Sequence, residues 1–456
     1  MPAALVLHSL VREHASLRIW FLICISLVFY TWWYPPYLLL LLASILANWL
    51  AAKLFAGSGR TAIITAMIAA DLAVLAFFKY AGFLIGNLHA VGIAPSFQVA
   101  VFLPLAVSFF TFHHIAYLVD LKRGDAKVAT LPQYALLVTF FPHLIAGPIV
   151  RYREFVPQLG AALPAGTRAE MAGRGCALLV IGLMKKLLLA DELAGPVNQL
   201  FAIQHLTFAE AWIAALGFSF QIYFDFSGYT DMALGLAMMF GLRLPPNFDS
   251  PYKAGSLIEF WRRWHMSLSR FLRDYLYVPL GGSRHGLPRM IIALLVTMLL
   301  GGLWHGAEWT FVVWGAVHGI GLAIARLWTR FGFRLPWAFG WALTFVFVVL
   351  AFVIFRASSL GTASHIIQSA LGLHGFSFDI RLHESGWRPA LLLYPWRDAL
   401  FMVVAAACVC LGFPNSGQLV ERLSPRPVIA YAVGLVLAGC FLFMGRGAQE
   451  FVYFQF

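Results

Sequence analysis

Apolar segments close to the ~20 residues that cross a bilayer as a helix recur along the whole of this chain. They lie at about 17–34, 36–52, 61–79, 97–120, 132–149, 174–195, 209–240, 288–304, 308–328, 337–355, 391–413 and 427–445. Backbone inside hydrocarbon must satisfy its own N–H and C=O groups, which leaves only helices and closed barrels. These uninterrupted runs lack the alternation of a barrel strand. The expected fold is therefore an all-α polytopic membrane protein of about ten to twelve membrane-crossing helices, one domain over 1–456. With 61% hydrophobic and 11% charged residues, an ordinary soluble domain is excluded. The segment 132–149 carries Pro132, Pro142 and Pro148 and reads as a broken or re-entrant helix buried in protein.

The apolar run after Arg18 leads into a second span without a small-residue cleavage site, so the first span is expected to stay as an anchor. Arg12 and Arg18 precede that span, Lys53 and Arg60 follow the second, and Lys122, Arg123 and Lys127 follow the fourth. The positive-inside rule then places the amino terminus in the cytoplasm. A net charge of +12 suits anionic membrane lipid or an anionic cytosolic ligand equally. No nucleic-acid partner is expected. Cys24, Cys176, Cys408, Cys410 and Cys440 sit in or beside apolar segments without metal-ligand spacing, and read as small buried hydrophobes. No metal or prosthetic group is predicted.

The most informative weakly apolar stretch is "SLIEFWRRWHMSLSRFLRDYLYVPLGG", residues 256–282. At about 100° per residue, Phe260, Trp261, Trp264, Leu268, Phe271, Leu272, Tyr275 and Leu276 share one half of a helix. Glu259, Arg262, Arg263, Arg270, Arg273 and Asp274 share the other. This is an interfacial amphipathic helix with a basic face, and Ser256 with Glu259 forms a capping box at its start. His265 falls with the apolar half. Neighbouring apolar segments are also rich in polar groups: Asp225 and Asp231 in "FQIYFDFSGYTDMALG", His143 between prolines, His305 in "GGLWHGAEW", and His318 in "GAVHG". Each has an ordinary structural account as a capping or hydrogen-bonded residue. Together they point to a hydrated internal cavity, because such groups are costly in lipid.

The stretches "FFPHLIAGPIVRYREFVPQL", "SFQIYFDFSGYTDMALGLAMMFG", "LPPNFDSPYKAGSLIEFWRRWHMSLSRFLRDYLYVPLGGSR", "TMLLGGLWHGAEWTFVVWGAVHG" and the closing "FVYFQF" resemble, in order, the membrane-bound O-acyltransferase superfamily. The bacterial branch is the similar one, containing the alginate O-acetylation and teichoic-acid D-alanylation membrane proteins. Relatives usually carry a further amino-terminal hydrophobic helix before "FYTWWYPPYLLLLLASILANWLAAKLF", and this chain starts just ahead of that segment. The resemblance implies His305 of "LWHG" as the principal catalytic residue, with His265 of "RRWH" opposite it. It also implies broken helices around a central tunnel that joins a cytosolic donor, acetyl-CoA, to an acceptor on the far side. A separate extracytoplasmic acetyltransferase often completes transfer to a polysaccharide such as alginate, acetylated cellulose or peptidoglycan. The implied location is a multi-pass position in the bacterial inner membrane.

The chemistry of the residues is compatible with that role. Acyl transfer from a thioester to a hydroxyl needs a base for the O–H proton and donors for the oxyanion. Burial disfavours imidazolium, keeping His305 able to accept a proton. Glycines 301, 302 and 306 are positioned to let backbone amides approach a substrate. A coenzyme with several phosphates calls for cations at the tunnel mouth, and Arg262, Arg263, Arg270 and Arg273 are the candidates; binding of lipid headgroups is the competing role for the same face. Two other classes use polar groups in a membrane body. A transporter or channel also needs an internal polar cavity, but no repeat between the two halves is visible. A haem protein would recruit ligands from His113, His114, His143, His305 and His318.

Overall fold

Apolar runs become helices here until a proline, a left-handed glycine or a buried polar contact stops them. The computed structural model describes residues 2–32, 34–93, 102–160, 163–382 and 395–422, with Gly434, Val436, Gly439 and Phe451. Among them helix is the only regular secondary structure. The chain divides into two compact units, Met1–Cys176 with Ala233–Pro246, and Ala177–Met232 with Asn247–Phe456.

The first unit contains α1 (Pro2–Val11), α2 (Ala15–Thr31), α3 (Tyr37–Ser58), α4 (Thr61–Ala90), α5 (Val107–Arg123), α6 (Leu131–Thr139), α7 (Phe141–Leu144), α8 (Tyr152–Phe155) and the start of α9 (Ala165–Met184). Gly59, at φ 67°, ends α3 in the left-handed conformation that costs glycine least. The expected broken helix at 132–149 is observed. Thr130 and Gln133 close a capping box on α6, and helical geometry fails at Phe140, two residues before Pro142. The N–H of Phe141 donates instead to Ser26 Oγ on α2 at 3.1 Å. Two histidines of this unit have ordinary core partners. His114 bonds Tyr134 and Ser44 through its two ring nitrogens, and His113 Nε2 accepts from the Val150 N–H.

The second unit contains the end of α9, a π-helical turn at Lys185–Ala190, α10 (Asp191–Ala202), most of α11 (Phe208–Met239), α12 (Leu257–Arg263), α13 (Met266–Leu272), α14 (Leu287–His305), α15 (Trp309–Arg330), α16 (Trp337–Arg356), α17 (Leu360–Ala370), α18 (Pro395–Gly412) and α19 (Ser416–Arg422). Gly182 and Gly228 let α9 and α11 meet backbone to backbone, since a Cβ on either would run into the other's carbonyl oxygen. That approach sets the π-helical turn against α11. Lys186 Nζ lies 2.8 Å from both Asp225 and Asp191, and Lys185 Nζ lies 2.7 Å from Asp231. The Ser416 hydroxyl donates to the same Asp231 oxygen. Asp225 and Asp231, read from sequence as signs of a hydrated cavity, are ion-paired, so that buried charge is matched by opposite charge.

Five described helices, α3, α4, α14, α15 and α16, are long and apolar enough to cross a membrane, and α18 with α19, bent by 61°, makes a sixth as a broken span. The multi-pass, all-helical reading therefore holds. The remaining expected crossings are shorter or more polar helices, and the last, 427–445, lies almost wholly outside the described residues. Cys410 is buried as expected, but Cys24 and Cys408 are exposed; Cys440 lies outside the described residues.

Candidate active site

The second unit gathers its polar chemistry where two helices break. Sequence periodicity continues without interruption through 256–276, yet the single amphipathic helix is not formed. α12 stops at Arg263 and α13 starts at Met266, with His265 between them at φ 41°. A non-glycine residue with positive φ is held there only when its surroundings over-determine it. The determinant is Asn247, fully buried. Its carbonyl oxygen accepts from the Met266 N–H at 2.9 Å, and its side-chain oxygen accepts from the Ser267 hydroxyl at 2.6 Å and the Ser267 N–H at 3.3 Å. The Asp249 N–H donates back to the Arg263 carbonyl. The start of α12 follows the sequence more closely. Ser256 caps the Glu259 N–H, but the Glu259 carboxylate takes the N–H of Gly255, one residue earlier than a capping box requires.

His305 is the last residue of α14, and α15 begins at Trp309. These helices form a tight hairpin: a Cβ on Gly302 would overlap the Phe311 carbonyl oxygen, and one on Gly315 the Met298 carbonyl. Gly306 likewise has the Phe311 ring in the place of a side chain. Gly302 and Gly306 therefore serve close packing, as small residues do between membrane helices.

The two histidines meet the same tryptophan. The His305 ring centroid lies 4.9 Å from Trp304, 5.3 Å from Trp314 and 5.3 Å from Phe355. His265 lies 6.3 Å from Trp304 and 4.7 Å from Phe226, edge-on to both. Both are buried, at 1% exposure for His265 and 8% for His305. Burial pushes His265 down to about 3, so its imidazole is neutral at physiological pH. His318 is near but occupied otherwise. Its Nδ1 accepts from the Trp261 indole N–H at 3.2 Å, which places its proton on Nε2. It ties α12 to α15 while packing 4.7 Å from Trp314. Sequence reading missed Asn247, Trp304, Trp314 and Phe355. The available signal for Asn247 was the proline-flanked "LPPNFDSP", which marks a fixed turn.

With the helix broken at His265, the four candidate arginines lie on two short segments rather than on one continuous face. Arg263 pairs with Glu259 at 2.7 Å and Arg273 with Asp274 at 2.7 Å. Arg262 is exposed and Arg270 half-buried. Among the described residues no group of three or more His, Cys, Asp or Glu is placed to hold a metal ion.

Comparison with known proteins gives this arrangement its context. Over 359 aligned residues, 76% of this chain and 73% of the relative, it is 42% identical to the probable alginate O-acetylase of Pseudomonas putida. It is 34% identical to the peptidoglycan O-acetyltransferase of Helicobacter pylori, covering 99% of this chain and 94% of that protein. The teichoic acid D-alanyltransferase of Bacillus subtilis is 28% identical over 55% of this chain and 68% of its own length. Residues 61–364 match the membrane-bound O-acyltransferase family, a range that contains both buried histidines and all four arginines. The chain is a multi-pass membrane enzyme and belongs to that O-acyltransferase family.

Proposed function

We propose that this enzyme moves an acetyl group from cytosolic acetyl-CoA to hydroxyls of an extracytoplasmic polysaccharide, directly or by way of a partner acetyltransferase, in the bacterial inner membrane. The observation that supports this best is the pair of buried histidines, each at a helix break and both against Trp304. The relatives' names, alginate O-acetylase and peptidoglycan O-acetyltransferase, support acetyl as the group and a polysaccharide as the acceptor class. In the proposed step the acceptor hydroxyl attacks the thioester carbonyl, a C–O bond forms, and His305 takes the hydroxyl proton. The tetrahedral oxyanion then collapses, the C–S bond breaks, and the proton on His305 leaves with the coenzyme thiol. Trp304, Trp314 and Phe355 pack around His305, and an apolar surround strengthens the polar interactions made within it. Membranes containing the enzyme, supplied with acetyl-labelled acetyl-CoA, are expected to label a polysaccharide or a partner protein. Label that stays in the coenzyme pool refutes the reading.

His265→Ala is expected to reduce transfer strongly, since the imidazole beside Trp304 orients substrate or relays a proton. A variant that accumulates poorly but regains full activity per molecule once stabilised would make His265 a packing residue instead. Arg262, Arg263, Arg270 and Arg273 are proposed to bind coenzyme phosphates. In detergent free of anionic lipid, at least one of the four single arginine-to-glutamine variants should raise the KM for acetyl-CoA by up to about tenfold, the loss of one charge-assisted contact, with kcat nearly unchanged. Four single variants with wild-type KM would place the coenzyme site elsewhere.

A further inference from the structure

The first unit holds a cleft of about 240 Å³ whose lining includes none of the residues of the candidate active site. It is lined by His8 of α1, Arg12 and Glu13 of the following turn, Arg18 of α2, Arg168 of α9 and the end of α11 around Phe240. The residues from His8 to Arg18 precede the stretch that matches the family. Glu13 is the cleft's one carboxylate; it meets Arg168 at 2.6 Å and Arg12 at 3.4 Å, leaving positive charge in surplus.

Two of these side chains are buried with unused nitrogens. Arg18 is 6% exposed; one of its terminal nitrogens donates to the Leu159 and Gln158 carbonyls, while its Nε has no partner. His8 is 7% exposed, packs edge-on against Phe240 at 5.1 Å, and leaves Nε2 without a partner. Burial, then the charges of Arg18 and Arg12, holds His8 down at about 4, so the field in the cleft already repels a further cation. Buried donors without acceptors are costly, and fixed guanidiniums with surplus charge match the geometry of a phosphate.

The volume limits the ligand. Sites for drug-sized molecules run from about 300 to 1,000 Å³, so this cleft takes a single phosphate group rather than a whole coenzyme. The helices that frame it carry exposed Val6, Leu7 and Leu10 on α1 and Leu17 and Trp20 on α2, an apolar flank suited to acyl chains.

We propose that this cleft binds the phosphate of an anionic phospholipid headgroup, with Arg12, Arg18 and Arg168 supplying charge and His8 Nε2–H a hydrogen bond. Full-length enzyme in phosphatidylcholine nanodiscs with a small fraction of spin-labelled phosphatidylglycerol tests it. The wild type should show a motionally restricted, saturable lipid component. In the double variant Arg12→Gln with Arg168→Gln, retention should weaken at least about tenfold through loss of two charge-assisted contacts. The charge-matched control, Arg326→Gln with Arg330→Gln on α15, should retain it. Arg18 is kept because it holds the 158–159 carbonyls. Arg12→Gln alone, at a partly exposed site, carries the test if the double variant does not accumulate. Equal retention by the double variant and the control overturns the proposal. Inorganic phosphate is the second arm: if millimolar phosphate stabilises the wild type but not the double variant, and phosphatidylglycerol shows no site-dependent component, the ligand is free phosphate and the lipid assignment is wrong.

Discussion

Replacing His305 with alanine is expected to lower acyl transfer by about 10²–10⁴-fold, the usual contribution of a general base, while the protein still reaches the membrane. The side chain sits at the end of α14 within a wall of Trp304, Trp314 and Phe355, and removing it leaves a hole that costs some stability. His305→Gln separates the two effects, because it keeps much of the volume and a polar tip but cannot act as a base. Both variants should lose transfer, and the glutamine variant should melt closer to the wild type. Normal turnover in either, measured with labelled acetyl-CoA, removes His305 from the chemistry.

The largest stability effect is expected at Lys186. Its ammonium is shared by Asp225, which is 1% exposed, and Asp191. Lys186→Met takes the ammonium away from a buried carboxylate, a change that typically costs about 3–5 kcal/mol. Asp225→Asn added to that variant should restore part of the loss, because the more deeply buried of the two carboxylates is then neutral. Thermal midpoints of the two single variants and the double variant supply the cycle. Additive losses would mean that the ammonium and the carboxylate do not depend on each other.

Much of the architecture was legible because hydropathy and proline act locally. The apolar runs predicted α3, α4 and α14 to α16, and Pro142 predicted the break after α6. The start of α12 followed from Ser256 for the same reason. The break at His265 was not legible, since the apolar period runs unchanged across it and the cause is Asn247, eighteen residues earlier on a separate loop. The partners of the α11 aspartates were hidden in a similar way. A carboxylate in an apolar run shows that something must compensate it, but not that a lysine thirty-nine residues away takes part. At the candidate site, His305 and His265 were singled out by their cost in an apolar setting and by family likeness. Trp304 and Phe355 looked like any other membrane aromatics, since only the folded chain shows which rings touch an imidazole.

The pairing of Lys185 and Lys186 with α11 also bears on how the chain is made. An aspartate at the centre of a helix adds roughly 2.5–3.5 kcal/mol to insertion from the translocon, so α11, with Asp225 and Asp231, enters lipid poorly as an isolated segment. Synthesis delivers the lysines first, on the turn that directly follows α9, and the aspartates some forty residues later. The cations are therefore already in place when the anions emerge, and the segment from α9 to α11 is expected to leave the translocon as one neutralised bundle rather than helix by helix.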